Sequence, residues 1–293
     1  MPICPRSSHL LRSHALIASA AVGALLSVGC SGSLTTLQPA RTVPAGHVQA
    51  TTSVQLTPPV GLARDTFEAL QTLSSLDADP SADDLEAVVD SATAALVQPP
   101  SIDSQLGLAV GLSRRLELDA RVGATSAGGG VRLQWLRQRP GIYGAIGFMA
   151  NAHYGHFPIE RFAPRVQVDR FRRVDYSVPL VLGYSRRRVH LWAGPKLVLS
   201  RYRARVGVCV ADDDGSCTQE ASLRVSGRAR YLAGQVGIGL GSRRFWFAVE
   251  VTVARALIDA DLGLDMPRRP TMEARRTVRG RVITPAIGLM LWL

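Results

Sequence analysis

The chain has 293 residues, of which 34 are lysine or arginine and 23 are aspartate or glutamate, so its formal net charge is +11. Lys196 is the only lysine, and so complete a preference for arginine is typical of genome composition. Beyond the first 30 residues, no apolar run reaches the roughly 20 residues that a membrane-spanning helix needs. Composition therefore excludes a protein with several membrane-spanning helices, and the charge alone does not indicate a nucleic-acid-binding protein.

Residues 1–29 have the features of an export signal. Arg6 and Arg12 make a basic start, an apolar run of about 15 residues follows, and small residues precede Cys30. The run is shorter than a membrane-spanning helix, so we predict that this segment is a signal peptide and is removed. An exported basic chain has little contact with nucleic acid, and we predict no nucleic-acid partner.

The stretch around Cys30, LSVGCSG, resembles the lipobox of bacterial lipoproteins. The resemblance implies that Cys30 becomes the lipidated N-terminus and that residues 30–44 form a lipidated tether. Glycine and serine after the cysteine resemble the pattern of lipoproteins that are passed on to the outer membrane. Ser27 stands where an aliphatic residue is usual, and the alternative is an ordinary cleavage that leaves Cys30 free.

A period of two in hydrophobicity recurs ten times after residue 45 and predicts ten β-strands. In chain order these strands begin near Val48, Gln105, Leu116, Val131, Ile142, Val174, Val189, Tyr231, Phe245 and Ile283. The connections alternate between short turns such as SRR, RQRPG, SRRR and GSRR and long ones near 57–103, 152–173, 204–224 and 258–277. An even number of antiparallel strands with this asymmetry is typical of transmembrane β-barrels, whose short turns face the periplasm.

Aromatic residues on the aliphatic face lie beside the short turns, as in the interfacial belt of a membrane barrel. They are Trp135, Tyr184, Phe245 and Phe247. The opposite faces are rich in glycine and alanine, which a water-exposed sheet face tolerates poorly. We therefore predict an all-β fold, a ten-stranded antiparallel transmembrane β-barrel formed by residues 45–293. The alternative is a soluble periplasmic lipoprotein with a β-sandwich or a lipocalin-like ligand cavity.

The last predicted strand, ITPAIGLMLWL, resembles the terminal signal of bacterial outer-membrane β-barrels, with Trp292 near the end and Leu293 in place of the usual phenylalanine. The resemblance implies that the barrel-assembly machinery is a partner during biogenesis. It also implies an outer-membrane location, with membrane lipid and lipopolysaccharide as surroundings. Both ends of the barrel, and with them the lipid anchor, are then expected on the periplasmic side.

Residues 61–97 break the strand pattern and predict a helical hairpin inserted in the first outer loop. Ser81 is placed as an N-cap, and Leu85, Val88 and Val89 share one helical face. The hairpin carries eight acidic residues and one arginine. The other long connections are basic, with Arg161, Arg165, Arg170, Arg172 and Arg173 in one and Arg268, Arg269, Arg275, Arg276 and Arg279 in the last.

The strand alternation also predicts a set of charged side chains that point into the barrel. They are Glu117, Asp119, Arg121, Arg132, Asp175, Lys196 and Glu250. Four acids and three bases in so narrow a lumen are expected to pair with one another rather than to line an open pore. A narrow conduit is the alternative, and the substrate is not indicated by the sequence.

Two cysteines remain in the exported part of the barrel, Cys209 and Cys217, and an oxidising compartment predicts a disulfide between them. His153 and His156 are three apart on a strand and so point to opposite faces, and we predict no metal site and no cofactor. We predict a structural, binding or narrow-channel role without enzymatic activity. A protease or lipid hydrolase built on the barrel is the third alternative, because catalytic residues can assemble from separate strands.

Overall fold

The computed structural model describes residues 34–58, 60–61, 101–138, 141–154, 166–211, 217–242, 244–265 and 272–293. The predicted signal peptide, Cys30 and nearly all of the predicted hairpin lie outside these residues. Within them, no helix is long and apolar enough to cross a membrane. The ten strands are β1 (Val48–Thr57), β2 (Ser101–Gly111), β3 (Leu116–Gly123), β4 (Ser126–Gln138), β5 (Ile142–His153), β6 (Val166–Ser185), β7 (Val189–Ala211), β8 (Cys217–Gly241), β9 (Phe245–Asp265) and β10 (Met272–Trp292).

The ten strands form one closed antiparallel barrel in which each strand pairs with its neighbour in sequence. The predicted all-β, ten-stranded barrel is thus confirmed, and the alternative of a β-sandwich is wrong. Strands β1 and β10 close the ring in a register that runs from Gln49 opposite Trp292 to Gln55 opposite Ala286. Closure removes the unpaired edges at the height of these registers, and β6 and β10 continue beyond the residues that pair with β5 and β1.

The barrel has two walls of different height. Strands β1–β5 have 8 to 13 residues and form what we call the low wall. Strands β6–β10 have 20 to 25 residues and form the tall wall, which extends the barrel at the end opposite the short turns.

The tall wall corrects the predicted long connections at 152–173, 204–224 and 258–277. Much of each is strand, and Arg170, Arg172, Arg173, Arg275, Arg276 and Arg279 lie in β6 or β10 instead of loops. The alternation continues through these stretches, but many outward positions are charged, with arginines on β7 and β10 and with Asp259 and Asp261 on β9. A prediction that relies on outward aliphatic residues therefore makes these strands too short.

The outer surface around the lower part of both walls is aliphatic and exposed. Trp135, Phe245 and Phe247 are about half exposed beside the short turns, as predicted for an aromatic belt. The exposed aliphatic residues include Leu108, Leu118, Leu133, Ile146, Leu182, Leu191, Leu232, Val236, Leu240, Ile287 and Leu289. The inner face carries the buried polar and charged residues, so the distribution is the reverse of that in a soluble barrel.

Candidate functional site: an occupied lumen and an arginine face

The lumen holds a piece of the chain itself, residues 34–43, which we call the inner segment. Leu34, Leu37, Ala40 and Val43 are each at most 2% exposed, although they precede the first strand. The chain passes into the barrel at the short-turn end, where Gly46 N–H donates to Gly111 O at 2.9 Å. A side chain at Gly111 would collide with Pro44 O, so only glycine admits the segment at this point.

The polar contacts of the inner segment begin near the short turns. Val43 N–H donates to Glu117 Oε2 at 2.7 Å, and Thr42 N–H donates to Gln134 Oε1 at 3.2 Å. Glu117 is the second residue of β3 and lies next to the turn that joins β2 and β3. Further along the lumen, Gln38 Nε2 donates to Asp119 Oδ2 at 2.6 Å.

The remaining contacts lie deeper in the barrel. Thr36 N–H donates to Glu250 Oε1 at 2.9 Å, and Arg121 Nη2 donates to Thr36 O at 2.9 Å. Lys196 Nζ donates to Leu34 O at 2.6 Å. Backbone groups with no partner in a strand are therefore satisfied by side chains of the lumen.

Six of the seven predicted lumen charges are buried, Arg121 is half-buried, and the structure brings some of them together. Arg132 Nη1 lies 3.0 Å from Glu117 Oε1, and Arg121 Nε lies 3.0 Å from Asp119 Oδ2. Arg132 also donates to Pro39 O. The set thus combines ion pairs on the low wall with contacts to the inner segment, which the expectation of mutual pairing did not include.

Asp175, on the tall wall, belongs to a separate buried cluster. Its carboxylate accepts from Arg173 Nε at 2.7 Å and from Ser200 Oγ at 2.5 Å, and His153 Nε2 lies 3.0 Å from its other oxygen. In a nucleophilic triad the histidine stands between the serine and the acid. Here the acid is between the other two, so this arrangement ties β5, β6 and β7 together and does not activate Ser200.

Sequence reasoning missed the inner segment and the amides that hold it. Gln55 accepts from Thr35 N–H at 3.1 Å and from its hydroxyl at 2.6 Å. Gln55 and Gln134 both point into the barrel, at positions where the pairing of strands does not require an amide side chain. These inward amides are a sequence feature from which a peptide in the lumen could have been predicted, because an amide side chain can both donate to and accept from a peptide backbone.

The outer surface of the tall wall changes from aliphatic to basic within two residues on four strands. The steps are Leu199 to Arg201 on β7, Leu232 to Arg230 on β8, Val253 to Arg255 on β9 and Ile283 to Arg281 on β10. We call the exposed arginines above this step the arginine face: Arg172, Arg201, Arg203, Arg205, Arg224, Arg228, Arg230, Arg255, Arg275, Arg279 and Arg281.

The arginine face contains an open groove. Arg230, Arg255, Arg279 and Arg281 line it, and Leu197, Leu232 and Leu257 add apolar surface. Arg281 and Arg255 are directly opposite in the β9–β10 register. One acidic neighbour, Asp259, pairs with Arg230 at 3.0 Å in a solvent-exposed position. The groove therefore joins positive charge to apolar surface.

Cys209 lies near the end of β7 and Cys217 begins β8, so the two cysteines flank one connection. The register sets Cys209 opposite Glu220 and Cys217 opposite Ala211. Their side chains lie outside the described part of the structure, and the disulfide stays a prediction. In the described ranges, no three metal-ligating side chains come together.

Comparison with solved structures finds bacterial outer-membrane barrels. The chain is similar to the outer-membrane protease OmpT of Escherichia coli, with 8% identity over 86% of this chain and 98% of that one and a TM-score of 0.44. Neisserial surface protein A has 9% identity, covers 84% and 95%, and gives a TM-score of 0.28. The CymD monoaromatic hydrocarbon channel has 8% identity, covers 92% and 96%, and gives a TM-score of 0.24.

At these scores the likeness carries no argument about function. No protein-family model and no curated protein sequence matches the chain.

Proposed function

We propose that the chain is an integral outer-membrane β-barrel that closes its lumen with its own inner segment and binds lipid on its outer wall. The observation that carries this proposal is the exposed aliphatic surface around a barrel whose charged residues are inside. The role is structural and lipid-binding and involves no catalysis.

The energetics of the outer surface favour a membrane setting. Leu108, Leu182, Leu232, Val236 and Ile287 are each about half exposed or more. Burial of apolar surface is worth roughly 25 cal/mol per Å², so a continuous belt of such residues would be costly in water. Hydrocarbon removes that cost, and at the height of the low wall the ring is closed, so the backbone groups there are paired between strands.

The soluble alternative fits less well. A lipocalin-like protein needs interior space for a ligand, whereas this lumen contains residues 34–43. A narrow channel would need the inner segment to leave, with the loss of its contacts to Glu117, Asp119, Glu250 and Lys196. We therefore propose that the resting protein does not conduct.

Fractionation with gel mobility tests the membrane proposal directly. We expect the protein to fractionate with the outer membrane, to resist extraction by carbonate, and to migrate faster on a gel before boiling than after. Release by carbonate as a soluble monomer with unchanged mobility on boiling would contradict the proposal and favour the periplasmic alternative.

The arginine face supports a lipid partner. It begins where the aliphatic surface ends, the level at which headgroups meet hydrocarbon, and arginine binds phosphate groups by paired charge-assisted hydrogen bonds. We propose that the groove at Arg255 and Arg281 binds the phosphates of lipopolysaccharide in the outer leaflet. Its leucines would contact the first methylenes of the acyl chains.

Four further features belong to the same proposal. Residues 1–29 would be a signal peptide, Cys30 would carry lipid, Cys209 and Cys217 would form a disulfide, and the barrel-assembly machinery would insert the protein. The lipobox-like sequence, the exporting signal and the terminal strand with Trp292 support them.

A further inference from the structure

The direction in which the inner segment runs limits where the chain that precedes Leu34 can go. Val43 bonds to Glu117, one residue past the start of β3, whereas Leu34 bonds to Lys196, seven residues past the start of β7. Thr35 bonds to Gln55, seven residues past the start of β1. Followed from Val43 back to Leu34, the segment therefore climbs from the short-turn end towards the opposite rim.

The distance back to the short-turn end is too long for the chain that is left. Seven residues of a strand tilted by about 40° rise roughly 18 Å along the barrel axis. The four residues from Leu34 to Cys30 span at most about 14 Å. The span of these residues is therefore shorter than the distance from Leu34 back to the short-turn end, the side on which the lipid anchor was expected.

The rim opposite the short turns lies close to the start of the inner segment, because the strands of the low wall are short. Strand β1 ends at Thr57, two residues beyond Gln55, and β3 ends at Gly123, two residues beyond Arg121, which bonds to Thr36 O. The outward residues at this height, Leu56 and Val122, are 43% and 45% exposed. Among the described residues, aliphatic surface thus extends to the top of the low wall.

We propose that the chain preceding Leu34 leaves the barrel over the low wall at the rim opposite the short turns. A lipid on Cys30 is then held in the outer leaflet. This inference rests on the proposed outer-membrane function and reverses the expected side of the anchor. The short strands of the low wall bring that rim close to Leu34, and the inner segment fixes the direction of the chain.

An accessibility experiment on intact cells tests this topology. We would insert a short epitope between Ser31 and Gly32 and compare antibody binding before and after the outer membrane is permeabilised. Equal binding is expected, since the epitope faces outward. The matched control carries the same epitope between Arg186 and Arg187, in a short turn, and should bind only after permeabilisation.

Fractionation and heat-modified mobility of the same tagged protein separate failure of the proposed exit over the low wall from failure of the proposed function. A tagged protein that is absent from the outer membrane contradicts the proposed function. A tagged protein that is assembled there but binds antibody only after permeabilisation overturns the exit over the low wall and leaves the proposed function standing.

An epitope that prevents assembly is replaced by a single thiol. Ser31→Cys, in a chain with Cys209→Ser and Cys217→Ser, is treated with a membrane-impermeant maleimide. Mass spectrometry assigns the modified residue. Labelling of the introduced thiol to the same extent in intact and permeabilised cells supports the proposal, and labelling only after permeabilisation overturns it.

Discussion

The low wall and the tall wall are built from the same alternation of residues, yet they present different chemistry. On the low wall, aliphatic residues face out and charged residues such as Glu117 and Arg132 face the inner segment. Above the step on the tall wall, arginines face out, and the inner face combines an apolar cluster that includes Val225 and Ile258 with the buried charges of Arg173 and Asp175. A period of two therefore identifies a strand in both walls, but the character of the outward face changes with height.

The largest expected effect follows from removing the inner segment from the lumen. Deletion of residues 34–43 removes the groups that fill the lumen, and we expect single-channel current in planar bilayers where the intact protein gives almost none. The synthetic peptide LTTLQPARTV, added to the deletion variant, should reduce the current because it restores the same contacts. A deletion variant that keeps heat-modified mobility but passes no current would mean that side chains alone close the lumen.

A buried ion pair of the low wall and an exposed ion pair of the tall wall are expected to contribute very differently to the free energy of unfolding. Glu117→Leu leaves the Arg132 charge buried without its partner, and we expect a loss of about 3 to 5 kcal/mol in unfolding free energy. Urea titration of the protein refolded in lipid vesicles measures it. Arg230→Met is the matched control, since its exposed pair with Asp259 is worth about 0 to 1 kcal/mol. Equal losses for the two variants would contradict the burial argument.

The arginine face is tested by the lipid that it retains. Arg255→Gln with Arg281→Gln removes two charge-assisted contacts to phosphate, each worth about 1.5 to 3 kcal/mol, so the amount of co-purified lipopolysaccharide should fall at least tenfold. Phosphate and fatty-acid analysis of the purified protein measures it. Arg115→Gln, in a short turn, is the control and should leave the amount unchanged.

The smallest effect concerns the top of the tall wall. A disulfide across so short a connection stabilises by roughly 2 to 3 kcal/mol at most, and it acts locally. Cys209→Ser with Cys217→Ser should leave the heat-modified mobility of the barrel unchanged. Thiol labelling of the denatured, unreduced protein decides whether the bridge exists, and modification of both cysteines would rule it out.

The sequence predicts the low wall well and the tall wall poorly for one reason. Strands whose outward residues are aliphatic have a clear period, so all ten strands and the inward positions of Glu117, Asp119 and Glu250 follow from it. The stretch from Arg201 to Arg205 has the same period, but with arginine outward and Tyr202 and Ala204 inward. A search for strands with an aliphatic face therefore predicts a polar loop for this stretch.

The inner segment was out of reach for a different reason. Residues 34–43 have no period and no regular structure, and their partners lie up to 214 residues away, as for Thr36 and Glu250. No local pattern records such a contact. The charges of the lumen could be identified one by one from alternation, but the peptide that binds several of them could not.

The enclosed segment also determines when the barrel can shut. Residues 34–43 continue directly into β1 and share the lumen with Arg132, Arg121 and Lys196, so we expect them to be in place when β1 and β10 pair. A segment that precedes the first strand is thus enclosed when the first strand pairs with the last. On this order of events the seam between β1 and β10 is the last joint to form, and closing the barrel also fixes the inner segment inside it.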